Sequence, residues 1–240
     1  MALTTELNRP PALGLALRLV KMEAQGAVRR LMRILGVHRP LAIALDDLPI
    51  PDSQIARAAT ALITECEPDY ILNHSMRTYL FGAAIALHHN MKFDAEVFYL
   101  AALMHDIGLV TPYDSLPGSF ELNGAKTSHE FLLKHEFSHT RADVVHEAIA
   151  LHAAVGKADK GSIEGTLVHF GAGVDVMGFR AEDIASSTRD AIVELWPRSN
   201  FKVDFTRVLK EQVEAKPECH IAGLMGLGFP YKLAHAPFSE

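Results

Sequence analysis

The stretch Val97-Phe98-Tyr99-Leu100-Ala101-Ala102-Leu103-Met104-His105-Asp106-Ile107-Gly108-Leu109 constrains the fold of this chain more than any other. Its apolar residues fall on every side of a helix, so the helix must be buried. It closes on an imidazole and a carboxylate side by side. A buried ionised carboxylate is costly unless a charge or a metal compensates it. A cation beside His105 and Asp106 is one solution, and a core His bonded to its neighbouring Asp, with Gly108 capping the helix, is the other.

With 240 residues, 49% of them hydrophobic, the chain is long enough for one large domain with a sizeable core. Cys66 and Cys219 form no disulfide framework or zinc-knuckle spacing, and no uncharged apolar stretch reaches the roughly eighteen residues of a membrane span. The N-terminus lacks the pattern of a secretory signal, so a cytoplasmic setting is expected. The net charge of −6 is uneven: residues 1–39 carry seven basic side chains against Glu6 and Glu23, and the remainder is acidic, which disfavours a nucleic-acid partner.

Residues 12–36 alternate Leu13, Leu17, Val20, Val28, Leu31 and Leu35 with Arg18, Lys21, Arg29, Arg30 and Arg33, the pattern of a basic amphipathic helix with a break admissible at Gly26. The expected domain division is therefore an arm, 1–45, and a body, 46–240. The arm is read as packing on the body, and it also offers a route to a homo-oligomer. Pro40, Pro49 and Pro51 punctuate the connection. From Asp52 the pattern is helix after helix with no strand alternation, which makes the fold all-α. Asp52 or Ser53, Asp94 and Ser138 are expected helix caps, and the Gly- and Pro-containing tail beyond Pro217 is expected as coil.

Four positions in three helical segments suggest themselves as metal ligands: His74, His105, Asp106 and Asp175. His74 shares a face with Ile71, Thr78 and Phe81, and Asp175 closes the run Leu167–Met177 amid apolar and small residues. Two imidazoles and two carboxylates neutralise a divalent cation, and mixed N/O ligation suits Zn, Mn, Fe, Ni or Co.

This order, His74, then His105-Asp106-Ile107-Gly108, then Asp175, resembles the H…HD…D signature of the HD-domain metal-dependent hydrolase superfamily. Asn73–Tyr79, Ser119-Phe120-Glu121 with Gly124-Ala125, Ala148–His152 and Gly173–Gly178 are similar to the cyanamide-hydratase-like branch. The likeness spans about residues 52–215 and implies an all-α HD-domain helical bundle preceded by the amphipathic arm. It also implies a divalent metal, zinc foremost, held by His74, His105, Asp106 and Asp175. Asp106 would have a second duty in taking a proton from water. Dinuclear members carry two further histidines. This chain has Phe120-Glu121 at one of those places and His152 at the other, which favours a single metal.

His152 can then be a second-layer partner, a proton shuttle or plain core. Glu121 can bond a ligand or a substrate amide, or simply favour a helix N-terminus. Arg77 can pair with Asp106, bind an anionic substrate or form a structural ion pair. The activity implied by the resemblance is addition of water to a small polar nitrile- or amide-like substrate, with Asp106, His152, Glu121 and Arg77 as the candidate catalytic groups. Phosphate-ester hydrolysis is the first alternative, weakened by the scarcity of cations near the motif. A metal-stabilised sensing or scaffold module is the second, and an oxygenase, which needs the second metal, ranks lower.

Overall fold

The computed structural model describes residues 12–37 and 39–240, Ala12 by its backbone alone; Glu6 and Arg9 of the arm lie outside the described residues. Helices α1 (Ala12–Ile34), α2 (Gln54–Cys66), α3 (Asp69–His88), α4 (Ala95–Met104), α5 (Phe120–Lys134) and α6 (His139–Leu151) lead to α7 (Ile163–Met177), α8 (Ser186–Leu195), α9 (Phe201–Ala215), α10 (His220–Met225) and α11 (Phe229–Ala234). Among the described residues there is no strand, only an isolated bridge between Leu41 and Ile184. No described helix is long and apolar enough to cross a membrane. The fold is all-α.

The run that opened the sequence argument is the centre of the molecule. Every residue of α4 from Val97 to Met104 is buried, and α4 packs on α2, α3, α6 and α7. Helices α3 and α7 lie against each other along their lengths, because glycines let their backbones meet. A Cβ on Gly171 would collide with the carbonyl of Thr78, and one on Gly82 with the ring of Phe98 and the carbonyl of Leu167. Gly108, two residues after Asp106, meets the carbonyl of Phe120 in the same way. This contact seats the start of α5 against the His105-Asp106 turn.

Local chemistry sets most helix starts. Ser53 Oγ accepts the Ala56 N–H (3.2 Å) and Asp94 Oδ1 that of Val97 (3.2 Å). Ser119 Oγ accepts the Leu122 N–H (3.3 Å) and Ser162 Oγ that of Gly165 (3.0 Å). Ser138 precedes α6 but makes no side-chain cap bond.

Three expectations are corrected here. α1 runs unbroken through Gly26. The connection after the arm is tied into the body: Thr188 Oγ1 accepts the Ile43 N–H (2.8 Å) and donates to the Ile43 carbonyl (2.9 Å). The tail expected as coil contains α10 and α11, and its Phe229, Leu233 and Phe238 are buried.

Candidate metal centre

Three donor atoms converge at the turn after α4. His74 Nε2 and His105 Nε2 are 3.3 Å apart, and Asp106 Oδ2 is 3.5 Å from the first and 3.2 Å from the second. All three residues are buried. The tautomers follow from their outer partners, since only an N–H can face a carbonyl or carboxylate. His105 Nδ1 donates to the Ala102 carbonyl (2.8 Å) and His74 Nδ1 to Asp175 Oδ2 (2.7 Å). Both Nε2 atoms therefore point bare lone pairs at each other, and Asp106 Oδ2 is buried with no hydrogen-bond partner.

Three acceptors facing one another without a proton repel, whereas a cation between them satisfies all three. Tetrahedral bonds of ~2.0–2.1 Å give ligand–ligand edges of about 3.3–3.4 Å, close to the triangle seen. The residues fit a divalent metal with an open fourth position. Burial alone would raise the Asp106 carboxyl, but the imidazoles of His105, His152 and His74 hold it far below the usual carboxylate range. Burial opposes a proton on His105 as well, yet the Asp106 carboxylate outweighs it and raises the group; for His74 burial wins and lowers it.

Asp175, expected as a fourth ligand, stands behind His74 instead. Oδ1 accepts from Arg77 Nε (2.8 Å) and Arg198 Nη1 (2.5 Å); Oδ2 accepts from Arg77 Nη2 (2.9 Å) and His74 Nδ1 (2.7 Å). A carboxylate has about four acceptor sites, and all of them are taken. The arrangement is that of a carboxylate orienting a ligand histidine from its far nitrogen. Arg77, expected near Asp106 or a substrate, is buried and committed to Asp175 and to the carbonyls of Trp196 and Pro197 (3.0 Å each). The Arg77 and Arg198 guanidinium groups hold the Asp175 carboxyl far down against a burial effect that alone would raise it. Phe201 stacks on the His74 ring (centroids 4.8 Å apart) and lies under both guanidinium groups.

His152 stands at the open side. Its Nδ1 donates to the Ile149 carbonyl (2.7 Å), leaving Nε2 bare at 3.7 Å from Asp106 Oδ1, the oxygen turned away from the donor triangle. Burial first, and the neighbouring His105 second, push His152 down to about 3. Behind it, His169 Nδ1 donates to the His152 carbonyl (2.7 Å).

His74, His105, Asp106, His152 and His169 line a cavity of about 60 Å³ whose other walls are apolar, among them Phe120, Val155, Met177, Ile221 and Leu224. No Lys or Arg lines it. A larger space of about 480 Å³, between α1 and α11, includes none of these donors in its lining.

Glu121, expected in the site, does not line the cavity. Its Oε1 accepts the Ile221 N–H (3.2 Å), so the carboxylate holds the start of α10, and burial raises its pKa. Two groups near the centre went unanticipated in the sequence. Arg198 lies in the loop before α9, where no pattern marks it. Glu67 is buried at the end of α2, and burial together with the charge of Asp106 pushes its carboxyl well up.

Comparison with known proteins agrees with this geometry. The family model for the HD domain matches residues 71–192, which span α3 to α8 and include every group of the donor cluster. Two relatives are the cyanamide hydratases DDI2 and DDI3 of Saccharomyces cerevisiae, each 26% identical over 201 residues, covering 82% of this chain and 88% of theirs. The chain belongs to the HD-domain family, as a metal-dependent hydrolase or hydratase.

Proposed function

We propose that this protein is a mononuclear hydratase of a small, uncharged, rod-like substrate carrying a carbon–nitrogen multiple bond, of which cyanamide is the simplest. The observation that carries the reading is the cavity. Its roughly 60 Å³ admits a few water-sized groups, far below the about 300–1,000 Å³ of pockets for drug-sized ligands. Its apolar wall also offers no cation to a phosphate. Of the two cations the sequence offers near the motif, Arg77 is already paired with Asp175, and Lys126 is exposed beside Glu130 and does not line the cavity. Space and charge both favour the hydratase reading over the phosphohydrolase alternative. We read the setting as cytoplasmic, in keeping with a Cys66 thiol that is in no disulfide.

His74, His105 and Asp106 would hold the metal, with zinc preferred for a tetrahedral two-His, one-carboxylate set. When bound, it supplies the positive charge that makes a water acidic enough to attack near neutral pH. The protein's own groups then move one proton. Asp106 Oδ1 lies on the His152 side and can take the proton from the attacking water; His152 Nε2 accepts it and delivers it to the substrate nitrogen. The oxygen bonds to carbon and one proton of the water reaches the nitrile nitrogen, which gives isourea; the remaining hydroxyl proton then shifts to nitrogen to give urea, so both protons of the water end on nitrogen. An imidazole with a depressed pKa suits the second transfer, because once protonated it is a strong acid. Phe120, Val155 and Leu224 give this exchange an apolar surround.

The test is turnover by metal-loaded protein, with urea released from cyanamide followed beside hydrolysis of p-nitrophenyl phosphate and a nucleoside monophosphate. Cyanamide hydration is expected. His152→Ala should lower kcat by about 10²–10⁴-fold while keeping the metal. Phosphate-ester hydrolysis without cyanamide turnover contradicts the proposal.

A further inference from the structure

Helix α1 is apolar on two opposite sides. Leu15, Leu19, Met22 and Gly26 face the body. The other side presents Leu13, Leu17, Val20, Val28, Leu31, Ile34 and Leu35, 52–77% exposed. A helix that is greasy on both faces is stable only between two bodies. Those seven side chains together amount to roughly the ~800 Å² per partner of a standard stable interface.

Apart from Ile34, whose mirror position is Gly14, the outward face reads the same in both directions about Ala24. Leu13 mirrors Leu35, Leu17 mirrors Leu31, Val20 mirrors Val28, and Ala24 mirrors itself. Two parallel copies would match residue for residue whatever the sequence, so this symmetry would be idle there. It matters when two copies run antiparallel about a twofold axis at Ala24, where each large residue meets one of its own kind and the small centre lets the helices close. That direction also opposes the helix dipoles and keeps the basic ends, Arg29, Arg30 and Arg33, away from one another.

An anionic membrane is the other surface that a basic amphipathic helix fits, but here much of the basic charge is turned inward. Arg18 donates to the Val155 carbonyl (2.8 Å), Arg29 faces Asp183 (3.8 Å) and Arg30 pairs with Glu182 (3.4 Å).

We propose that α1 pairs with α1 of a second copy, antiparallel, through the Leu13–Leu17–Val20–Ala24–Val28–Leu31–Leu35 face. The arm would thus brace a dimer against two bodies. Because Arg18 grips the carbonyl of Val155, a cavity-lining residue, pairing would also stiffen one wall of the catalytic cavity.

Disulfide trapping in the full chain tests this, in a Cys66→Ser background. On mild oxidation Ala24→Cys should give a covalent dimer whose linked peptide joins position 24 to position 24. Leu13→Cys alone should give none, and an equal mixture of Leu13→Cys and Leu35→Cys should give the 13–35 link. Unmodified protein should sediment at twice 26.3 kDa at micromolar concentration, and Leu17→Glu/Leu31→Glu at the monomer mass with unchanged helix content. A 13–13 link, a monomeric unmodified protein that sediments with phosphatidylserine vesicles, or a double-Glu variant that stays dimeric overturns the proposal.

Discussion

Asp175 has all its acceptor sites filled, and that makes Arg198 a support of the metal centre although it is remote from the donor triangle. Arg198 holds Asp175, Asp175 holds Nδ1 of His74, and His74 Nε2 is thereby aimed at the triangle. Removing one cation leaves a buried carboxylate undercompensated, a loss of about 3–5 kcal/mol where a buried pair is broken. Arg198→Met should therefore lower the unfolding free energy by an amount of that order, read as a lower denaturant midpoint with the slope unchanged. A loss below about 1 kcal/mol, the range of surface pairs, would show that the pair is not structural. His74, His105 and Asp106, which the structure brings together, stood out in the sequence as polar groups on apolar helical faces and, as a set, through the resemblance to the HD pattern. Asp175 was legible as a buried carboxylate in need of a counter-charge. Its partner was not: Arg198 sits in a Pro-containing loop, 23 residues on, and a loop arginine carries no periodic sign of burial. Glu121 misled for a related reason. It neighbours the motif in sequence, but its bond reaches a backbone 100 residues away.

Helices whose ends are fixed by side chains within three residues were readable, as Ser53 and Asp94 show. Those fixed from afar were not. α10 and α11 have six residues each, too short to persist alone. They form because Glu121 holds the first and because Phe229 and Leu233 of the second are buried. Gly26 was admissible as a break point since glycine weakens helices, yet α1 runs through it. Glycine sets a close approach in the α3–α7 pair, where Gly171 meets the Thr78 carbonyl. There is no flexible side chain to yield at that contact. Although alanine favours helix by about 1 kcal/mol over glycine, Gly171→Ala should destabilise the protein by about 1–3 kcal/mol through overpacking. Thermal unfolding decides: a raised Tm would mean that propensity outweighs the clash and that the helices are less tightly apposed.

At the scale of the molecule, the all-α body was legible from the absence of strand alternation and from one run that had to be buried. The size of the cavity was not, because its walls come from α3, α5, α7, α9 and the tail helices, and only the folded chain brings Phe120, Met177, Phe205, Ile221 and Leu224 around the same donors. Those walls separate a site for a small neutral substrate from one for a phosphate ester. The donors within them carry the central claim that one metal is held by His74, His105 and Asp106. Elemental analysis of the purified full chain, beside His105→Ala checked for folding by circular dichroism, tests that claim most directly. About one equivalent of a divalent metal is expected in the unmodified protein and none in a folded His105→Ala, since losing one of three protein ligands breaks the set. About two equivalents in the unmodified protein, or one retained by the variant, would contradict it.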